Sequence, residues 1–397
     1  MPQPTMPKNH SPARFIRRAL IVMISTLIAW LGAEIFMRVG FDLLPARVQG
    51  DIQAVQRVPW SQERIVPEFA FLGDRDFQAR LPVGINNLSV RWSDARFTVF
   101  TRSIWEGHRA GFRSDAPVYP LDVMTFGDSY TFCWTAFAEC WVEMLKAYGW
   151  NVFNAGNPGT GTTGQWNLMR EIVPPTKPKV VVWLWYANDL KDDHDLAVIR
   201  GETAKLQIPP EPDAPLAPEG LGKISALAHL IRLATTSRTP STPYQHYQGV
   251  TINQRPFFVA TNEYPHRDSL AWEANRYGLE RNKQAHAEAA RFLAEQGIQL
   301  VIAFVPTKEE TYAPALEGLL GQAYLDAIGE GRRELLNQCS DNNWHCIDLL
   351  PALQEAAQRG DSIYYGYDSH LDASGNRVLV NVIGQYLQEN ALVGKED

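Results

Sequence analysis

Leu121-Asp122-Val123-Met124-Thr125-Phe126-Gly127-Asp128-Ser129 is the stretch on which the fold turns. Its apolar run has the length of a buried strand, and it ends in Gly-Asp-Ser, where the chain must turn toward a helix. The pattern then repeats. Glu139–Tyr148 reads as an apolar helix, and Asn151–Ala155 as a second strand running into Asn154-Ala155-Gly156-Asn157-Pro158-Gly159-Thr160-Gly161. Gln165–Ile172 reads as a helix that Pro174 and Pro175 should stop, and Val180–Tyr186 as a dense buried strand ending at Asn188-Asp189. Alternation of this kind predicts an α/β fold, a three-layer α/β/α sandwich around a parallel sheet. Such sheets place their sites beyond the C-terminal ends of the strands, and three polar clusters fall at three successive strand ends.

Toward the C-terminus the rhythm breaks over 191–297, read as an insertion within a domain spanning 119–397. Pro209, Pro210, Pro212, Pro215 and Pro218 mark a loop, Leu221–Ala234 could be a helix, a Pro- and aromatic-rich stretch runs to His266, and Leu270–Gln296 is a further helix. Alternation resumes with a strand at Gln299–Val305, mostly helix over Ala315–Asn337, a short strand at Trp344–Leu349 and a last helix over Ser374–Asn390. Toward the N-terminus, 38–118 reads as a linker with a few short strands.

Before the linker, Ala19–Ala33 carries no charge, and after Glu34 the apolar character continues through Met37. A run over 19–37 approaches the roughly 20 residues that cross a bilayer. Lys8, Arg14, Arg17 and Arg18 precede it, so the basic tail 1–18 is expected in the cytoplasm and the rest outside. The expectation is a single-pass inner-membrane protein with its catalytic domain on the periplasmic side. A cleaved signal peptide and a buried core helix are the alternatives. Glu34 would sit near the outer interface, with Arg38 one turn on as its partner. The formal net charge of -7 and the lack of a basic stripe exclude an extended nucleic-acid footprint.

Four cysteines form two close pairs, Cys133 with Cys140 and Cys339 with Cys346. Their equal spacing suits two local disulfides in an oxidising compartment. In a continuous helix that spacing separates the two positions by about 10 Å, so a bridge requires a loop between them. Four unrelated buried thiols are the alternative. Neither pair has the short spacing of a metal site, and no cofactor or metal is expected.

Ser129 is a candidate nucleophile because it follows the first core strand, where Gly127 allows a tight turn and backbone N–H groups can face an oxyanion. Asp128 more naturally stabilises the turn. The glycines of the second cluster suit close approach to a ligand; Asn188 could donate to an oxyanion or cap the following helix. Late in the chain, Asp368-Ser369-His370 offers a base and a carboxylate to orient it. Each feature alone has an ordinary structural explanation.

Their order, Ser129, Gly159, Asn188, then Asp368 and His370, resembles the SGNH/GDSL hydrolase superfamily. The resemblance implies Ser129 as nucleophile, an oxyanion hole from Ser129, Gly159 and Asn188, and a triad completed by His370 and Asp368. Gly111-Phe112-Arg113, Pro306-Thr307-Lys308-Glu309 and Asn376 add to it. The single residue between Asp368 and His370 resembles the membrane-associated periplasmic branch linked to polysaccharide O-acetylation, including alginate acetylation proteins. Tyr130, in place of the usual leucine, reads as a variation without mechanistic weight. The implied function is a serine-dependent esterase or O-acyltransferase acting on an acyl ester or acetylated cell-surface carbohydrate. It would be held at the cytoplasmic membrane, with a membrane-protein partner conceivable through 19–37. A non-catalytic SGNH-like glycan-binding or membrane-complex subunit is the alternative. Trp134, Trp166, Trp183, Trp185 and Tyr186 lie near strand ends or motif loops, where exposed aromatic faces would suit sugar rings, although Trp183 and Trp185 sit on a strand.

Overall fold

The computed structural model describes residues 12–40, 43, 72–92, 95–207, 220–223, 225–235, 247–366 and 368–393. Most of the basic tail, most of the expected linker before Leu72 and the proline-rich loop from Pro209 to Pro218 lie outside them. The chain forms two compact units, one drawn from 1–61 and 215–238, the other from 62–214 and 239–397.

In the first unit, a helix spans Pro12–Val39. Over Ile16–Val39 it is long and apolar enough to cross a membrane, and the side chains of that segment are mostly exposed. A turn at Gly220–Lys223 and a helix at Ala226–Thr235 accompany it.

The second unit opens with three small antiparallel pairs: β1 (Leu72–Asp74) with β2 (Gln78–Arg80), β3 (Leu88–Trp92) with β4 (Ala95–Val99), and β5 (Arg102–Ser103) with β6 (Gly111–Phe112). Five parallel strands follow, β7 (Val123–Phe126), β8 (Val152–Asn154), β9 (Val180–Trp185), β12 (Gln299–Phe304) and β13 (His345–Asp348), in the order β13-β12-β9-β7-β8. The period of two along a strand builds both cores. Val180, Val182 and Leu184 of β9 join one apolar cluster with the C-terminal helix Ala373–Glu389 and helix Leu350–Gln358. Val181, Trp183 and Trp185 join the other with helices Thr162–Thr176 and Glu273–Glu295. A strand buried on both faces therefore reads as continuous apolar sequence, and the layered α/β/α sandwich expected from it is present.

Several expectations about the elements need revision. Helix Thr162–Thr176 contains Pro174 and Pro175 in its last turn. Their missing N–H groups would have bonded the carbonyls of Arg170 and Glu171, which lie on the exposed face where water replaces the bond. The stretch before His266 forms a hairpin, β10 (Tyr247–Ile252) with β11 (Arg255–Ala260). Its turn residues Asn253 and Gln254 both have positive φ, 50° and 64°, as a two-residue hairpin turn demands. Ile252, Phe257 and Val259 enter the first core cluster. Helix Glu273–Glu295, expected as part of the insertion, is a layer of the sandwich. A Cβ at Gly278 would come within 1.7 Å of the Leu190 carbonyl, so this glycine lets it press against helix Asp189–Arg200.

Candidate active site

β7 ends at Phe126, and Gly127 takes φ +145°, a backbone that side chains rarely adopt; a Cβ there would also strike Thr131 and the Leu184 carbonyl. The chain turns into a short helix, Ser129–Phe132. Asp128 caps it, its Oδ1 accepting the Tyr130 N–H at 2.9 Å, so the turn role read from the sequence is what the carboxylate performs. The turn presents Ser129 Oγ 2.8 Å from His370 Nε2 and 3.2 Å from Asp128 Oδ2.

On the other side of the imidazole, His370 Nδ1 lies 2.5 Å from Asp368 Oδ1, which also accepts the His370 backbone N–H at 2.8 Å. A carboxylate only accepts, so Nδ1–H donates to it and Nε2 is left to accept from the Ser129 hydroxyl. With one residue between them, Asp368 and His370 close a local ring that fixes the imidazole.

The two carboxyl groups flanking this line have opposite environments. Burial pushes the Asp368 carboxyl up, but the nearby His370, its two hydrogen bonds and Lys308 outweigh burial and hold it below the ordinary aspartate range. At Asp128, burial prevails over the Tyr130 N–H and the neighbouring His370 and raises the carboxyl. Asp368 is thus the ionised partner.

The other two expected site residues follow β8 and β9. Gly159 is exposed in a loop tied back to the serine turn, where the Asn157 N–H donates to the Gly127 carbonyl at 2.9 Å. Among the described residues, the N–H groups of Ser129 and Gly159 have no hydrogen-bond acceptor. Asn188 stands at the start of helix Asp189–Arg200 without capping it through its side chain. Its Nδ2 donates to Asp192 Oδ2 at 2.9 Å, and its buried Oδ1 has no partner among the described residues. Through this bond Asp192, whose carboxyl burial raises to about 7, orients the Asn188 amide. Among the described residues no group of three or more His, Cys, Asp or Glu is placed to hold a metal ion.

Several side chains around this arrangement take roles that were not legible in the sequence, although Arg113 and Lys308 stand in segments that carry the resemblance. Trp134 stacks on the His370 imidazole, ring centroids 4.9 Å apart and 17° between planes. The Tyr130 ring stands 5.1 Å from the same imidazole, and its hydroxyl donates to the Ser369 carbonyl at 2.6 Å. Tyr130 thus ties the serine turn to the Asp-His loop, a bond that a leucine at this position could not make. Tyr365 completes the stitching: its hydroxyl donates to the Trp134 carbonyl and its N–H to the His370 carbonyl, each at 3.1 Å. Buried Lys308 donates to the Gly366 carbonyl at 3.2 Å. Arg113, fully buried, donates to the carbonyls of Phe132, Cys133, Thr135 and Thr98, and burial lowers it to about 9. The only sequence signal for the aromatic ones is their closeness to the motif residues, Tyr130 and Trp134 after Ser129 and Tyr365 before Asp368.

Both expected disulfides are present, Cys133–Cys140 and Cys339–Cys346. The aromatic faces proposed for sugar stacking are not free: Trp134, Trp166, Trp183, Trp185 and Tyr186 are all buried, each packed into one of the apolar clusters of the fold.

Residues 263–397 match a family described as "SGNH hydrolase-like domain, acetyltransferase AlgX". That segment, about a third of the chain, is thus similar to an SGNH hydrolase-like domain. The SGNH match contains Asp368 and His370 and begins after Ser129, Gly159 and Asn188. No curated protein sequence matches the chain. Among solved structures, similar ones include a member of the lipolytic protein G-D-S-L family from Veillonella parvula (14% identity, 68% of this chain and 97% of that one, TM-score 0.35). A catalytic mutant of an acetylxylan esterase from Geobacillus stearothermophilus is similar at 11% identity (70% and 95%, TM-score 0.37), and a psychrotrophic esterase from Pseudoalteromonas at 10% (68% and 98%, TM-score 0.34). At these scores the likenesses carry no argument about this chain.

Proposed function

We propose that this protein is a serine-dependent ester hydrolase or O-acyltransferase acting on O-acetylated cell-surface carbohydrate from the periplasmic side of the inner membrane. The observation that carries the proposal is the continuous hydrogen-bonded line from Ser129 through His370 to Asp368. A hydroxyl, an imidazole and an ionised carboxylate in that order are what acyl transfer through a serine requires. Ser129 Oγ attacks the ester carbonyl as its proton passes to His370 Nε2, and Asp368 stabilises the imidazolium. The N–H groups of Ser129 and Gly159 and the Asn188 amide receive the developing oxyanion. His370 then returns the proton to the departing alcohol oxygen, leaving an acyl-serine. Water or a sugar hydroxyl, deprotonated by His370, takes the acyl group and restores Ser129. No metal or cofactor enters this scheme.

Two further lines are part of the proposal. Basic residues before the apolar run 19–37, together with two disulfides, support export of the domain and retention of the helix as an anchor. The organisation proposed is a tail over 1–18, an anchor over 19–37, a linker with short strand pairs over 38–118 and a catalytic domain over 119–397, whose insertion, read as 191–297, gives way to the sandwich at helix Glu273–Glu295.

A serine-directed phosphonate should label Ser129, and His370→Ala should slow the labelling severely. With an acetyl ester donor, a hydrolase releases acetate at a rate indifferent to added sugar, whereas a transferase partitions toward an acetylated sugar. No labelling and no turnover across short-chain and sugar esters, with the cellular phenotype intact in Ser129→Ala, would replace this reading with that of a non-catalytic binding subunit.

A further inference from the structure

The apolar helix Pro12–Val39 carries one carboxylate inside its membrane-length segment, Glu34, and that carboxylate is not exposed. Glu34 Oε1 accepts the Ala226 N–H at 2.9 Å, and Oε2 accepts the Ser225 hydroxyl at 2.9 Å and the Leu227 N–H at 3.1 Å. Arg38, one turn on, donates to Oε1 from Nε at 2.9 Å and from Nη2 at 2.6 Å. Both oxygens are therefore satisfied. The first turn of helix Ala226–Thr235 supplies three donors and the positive end of its dipole, and Arg38 supplies the counter-charge. Apolar packing of Met37 against Ala226, Leu227 and Leu230 seals the clasp.

This placement has a geometric consequence. Glu34 precedes Val39, the last helical residue, by about 7.5 Å of axial rise. If the long helix is the anchor proposed above, helix Ala226–Thr235 begins below the outer end of that anchor, at the depth of the lipid headgroups. Its composition suits that depth: Leu227, Leu230 and Ile231 are apolar, and Ile231 and neighbouring Leu221 keep large exposed surfaces. A carboxylate at this depth is costly without partners, and the clasp provides them.

We infer that helix Ala226–Thr235, held by Glu34 to the outer end of the anchor, lies in the lipid–water interface of the same bilayer. The occupant of its exposed apolar face is lipid. The chain segment that leaves the catalytic fold after Gln207 and re-enters it at Tyr247 thereby makes a second membrane attachment, independent of the first in sequence.

The inference rests on the anchor reading, and the test separates the two. The full-length chain, purified and reconstituted in phosphatidylcholine vesicles, would carry one environment-sensitive fluorophore on Ile231→Cys, on Ile28→Cys within the anchor, or on the exposed Val118→Cys as a water reference. Lipids bearing a nitroxide near the headgroup or deep in the acyl chains would serve as quenchers. Ile231→Cys should be quenched at least twofold more by the shallow nitroxide than by the deep one, and Ile28→Cys by the deep one. Adding Glu34→Ala should return position 231 to the level of the Val118→Cys reference and leave position 28 unchanged; Glu34→Gln, which keeps its acceptor oxygen, should fall between. Position 231 at the reference level in the parent chain, with position 28 still quenched, would overturn the inference and leave the anchor standing. Loss of quenching at both positions would overturn the anchor reading and the inference with it. Protection of position 231 in native membranes but not in vesicles of the purified chain would assign the face to a protein partner and overturn the lipid assignment.

Discussion

The two disulfide loops are equal in spacing and unequal in consequence. Cys133–Cys140 closes a loop that begins right after the serine helix, at the end of the sheet where β7 delivers Ser129. Within it, Trp134 lies flat on the His370 imidazole, and Arg113 holds the carbonyls on either side of that tryptophan. Cys339–Cys346 joins helix Glu330–Asp341 to the start of edge strand β13, at the N-terminal end of the parallel sheet. Parallel strands give the two ends of a sheet different duties, since groups that converge on a ligand gather at the C-terminal end. The first bridge should therefore bear on chemistry and stability together, and the second on stability alone.

The largest expected effect tests whether the first loop really borders the reacting groups. His370→Ala should lower kcat/KM by roughly a thousandfold or more, through loss of the base. Replacing Cys339 and Cys346 together by serine should leave kcat/KM unchanged at a temperature where the fold persists. A comparable loss from both changes would end the contrast.

Next in size is the tryptophan. Trp134→Ala leaves the imidazole unsupported on one face, and small misplacement of a catalytic group can cost up to about a hundredfold in rate. The fall should be about 10- to 100-fold in kcat with KM nearly constant, and Trp134→Phe should recover most of it. A fall confined to KM would make Trp134 a substrate contact instead.

The bridges themselves come third. Serine at both Cys133 and Cys140 should cost about 2–4 kcal/mol in denaturant unfolding, and so should serine at Cys339 and Cys346. Only the first pair should also lower kcat, because only that loop carries the ring over His370.

The smallest effect concerns pH at the site end of the sheet. Asp192 is raised to about 7, mainly by burial, whereas an unfolded aspartate titrates near 4. Between those values the folded state holds the extra proton, so stability falls as pH rises through that window. Asp192→Asn should remove part of that slope, flattening the stability difference between pH 5 and pH 8 by about 1–2 kcal/mol as read by urea unfolding. The same variant tests the support of Asn188: a lower kcat with intact labelling of Ser129 would locate the loss in oxyanion binding. An unchanged slope would show that Asp192 is solvated.

Much of the site was legible because catalytic residues of this kind sit at strand ends, and strand ends can be found from apolar runs punctuated by glycine and asparagine. Ser129, the glycine cluster and Asn188 were found that way, whereas the choice of Gly159 and the pairing of Asp368 with His370 came with the resemblance to the SGNH/GDSL superfamily. The roles of Trp134, Tyr130 and Arg113 escaped for a common reason. Their work is done on partners far away in sequence: Tyr130 on the Ser369 carbonyl, Trp134 on His370, Arg113 on the Thr98 and Thr135 carbonyls. No local pattern encodes such a pairing. The hairpin at Tyr247–Ala260 was hidden similarly, since its turn is Asn253-Gln254 rather than a glycine signal and its apolar residues face a core assembled from other segments.

By itself, then, the sequence determined the alternation of strands and helices, the parallel sheet, the apolar N-terminal helix and the pairing of cysteines that lie close along the chain. These follow from periodicity, hydrophobic length and loop closure, which act over a few residues to a few turns. The tertiary structure alone decided which face of each strand met which helix, which of two equal loops lay against the imidazole, and why a carboxylate could sit inside an apolar helix. Glu34 is the clearest case. In sequence it interrupts a hydrophobic run; in the fold, Ser225, Ala226 and Leu227 arrive from nearly two hundred residues away to satisfy it, because a buried charge persists only where the rest of the chain brings it partners.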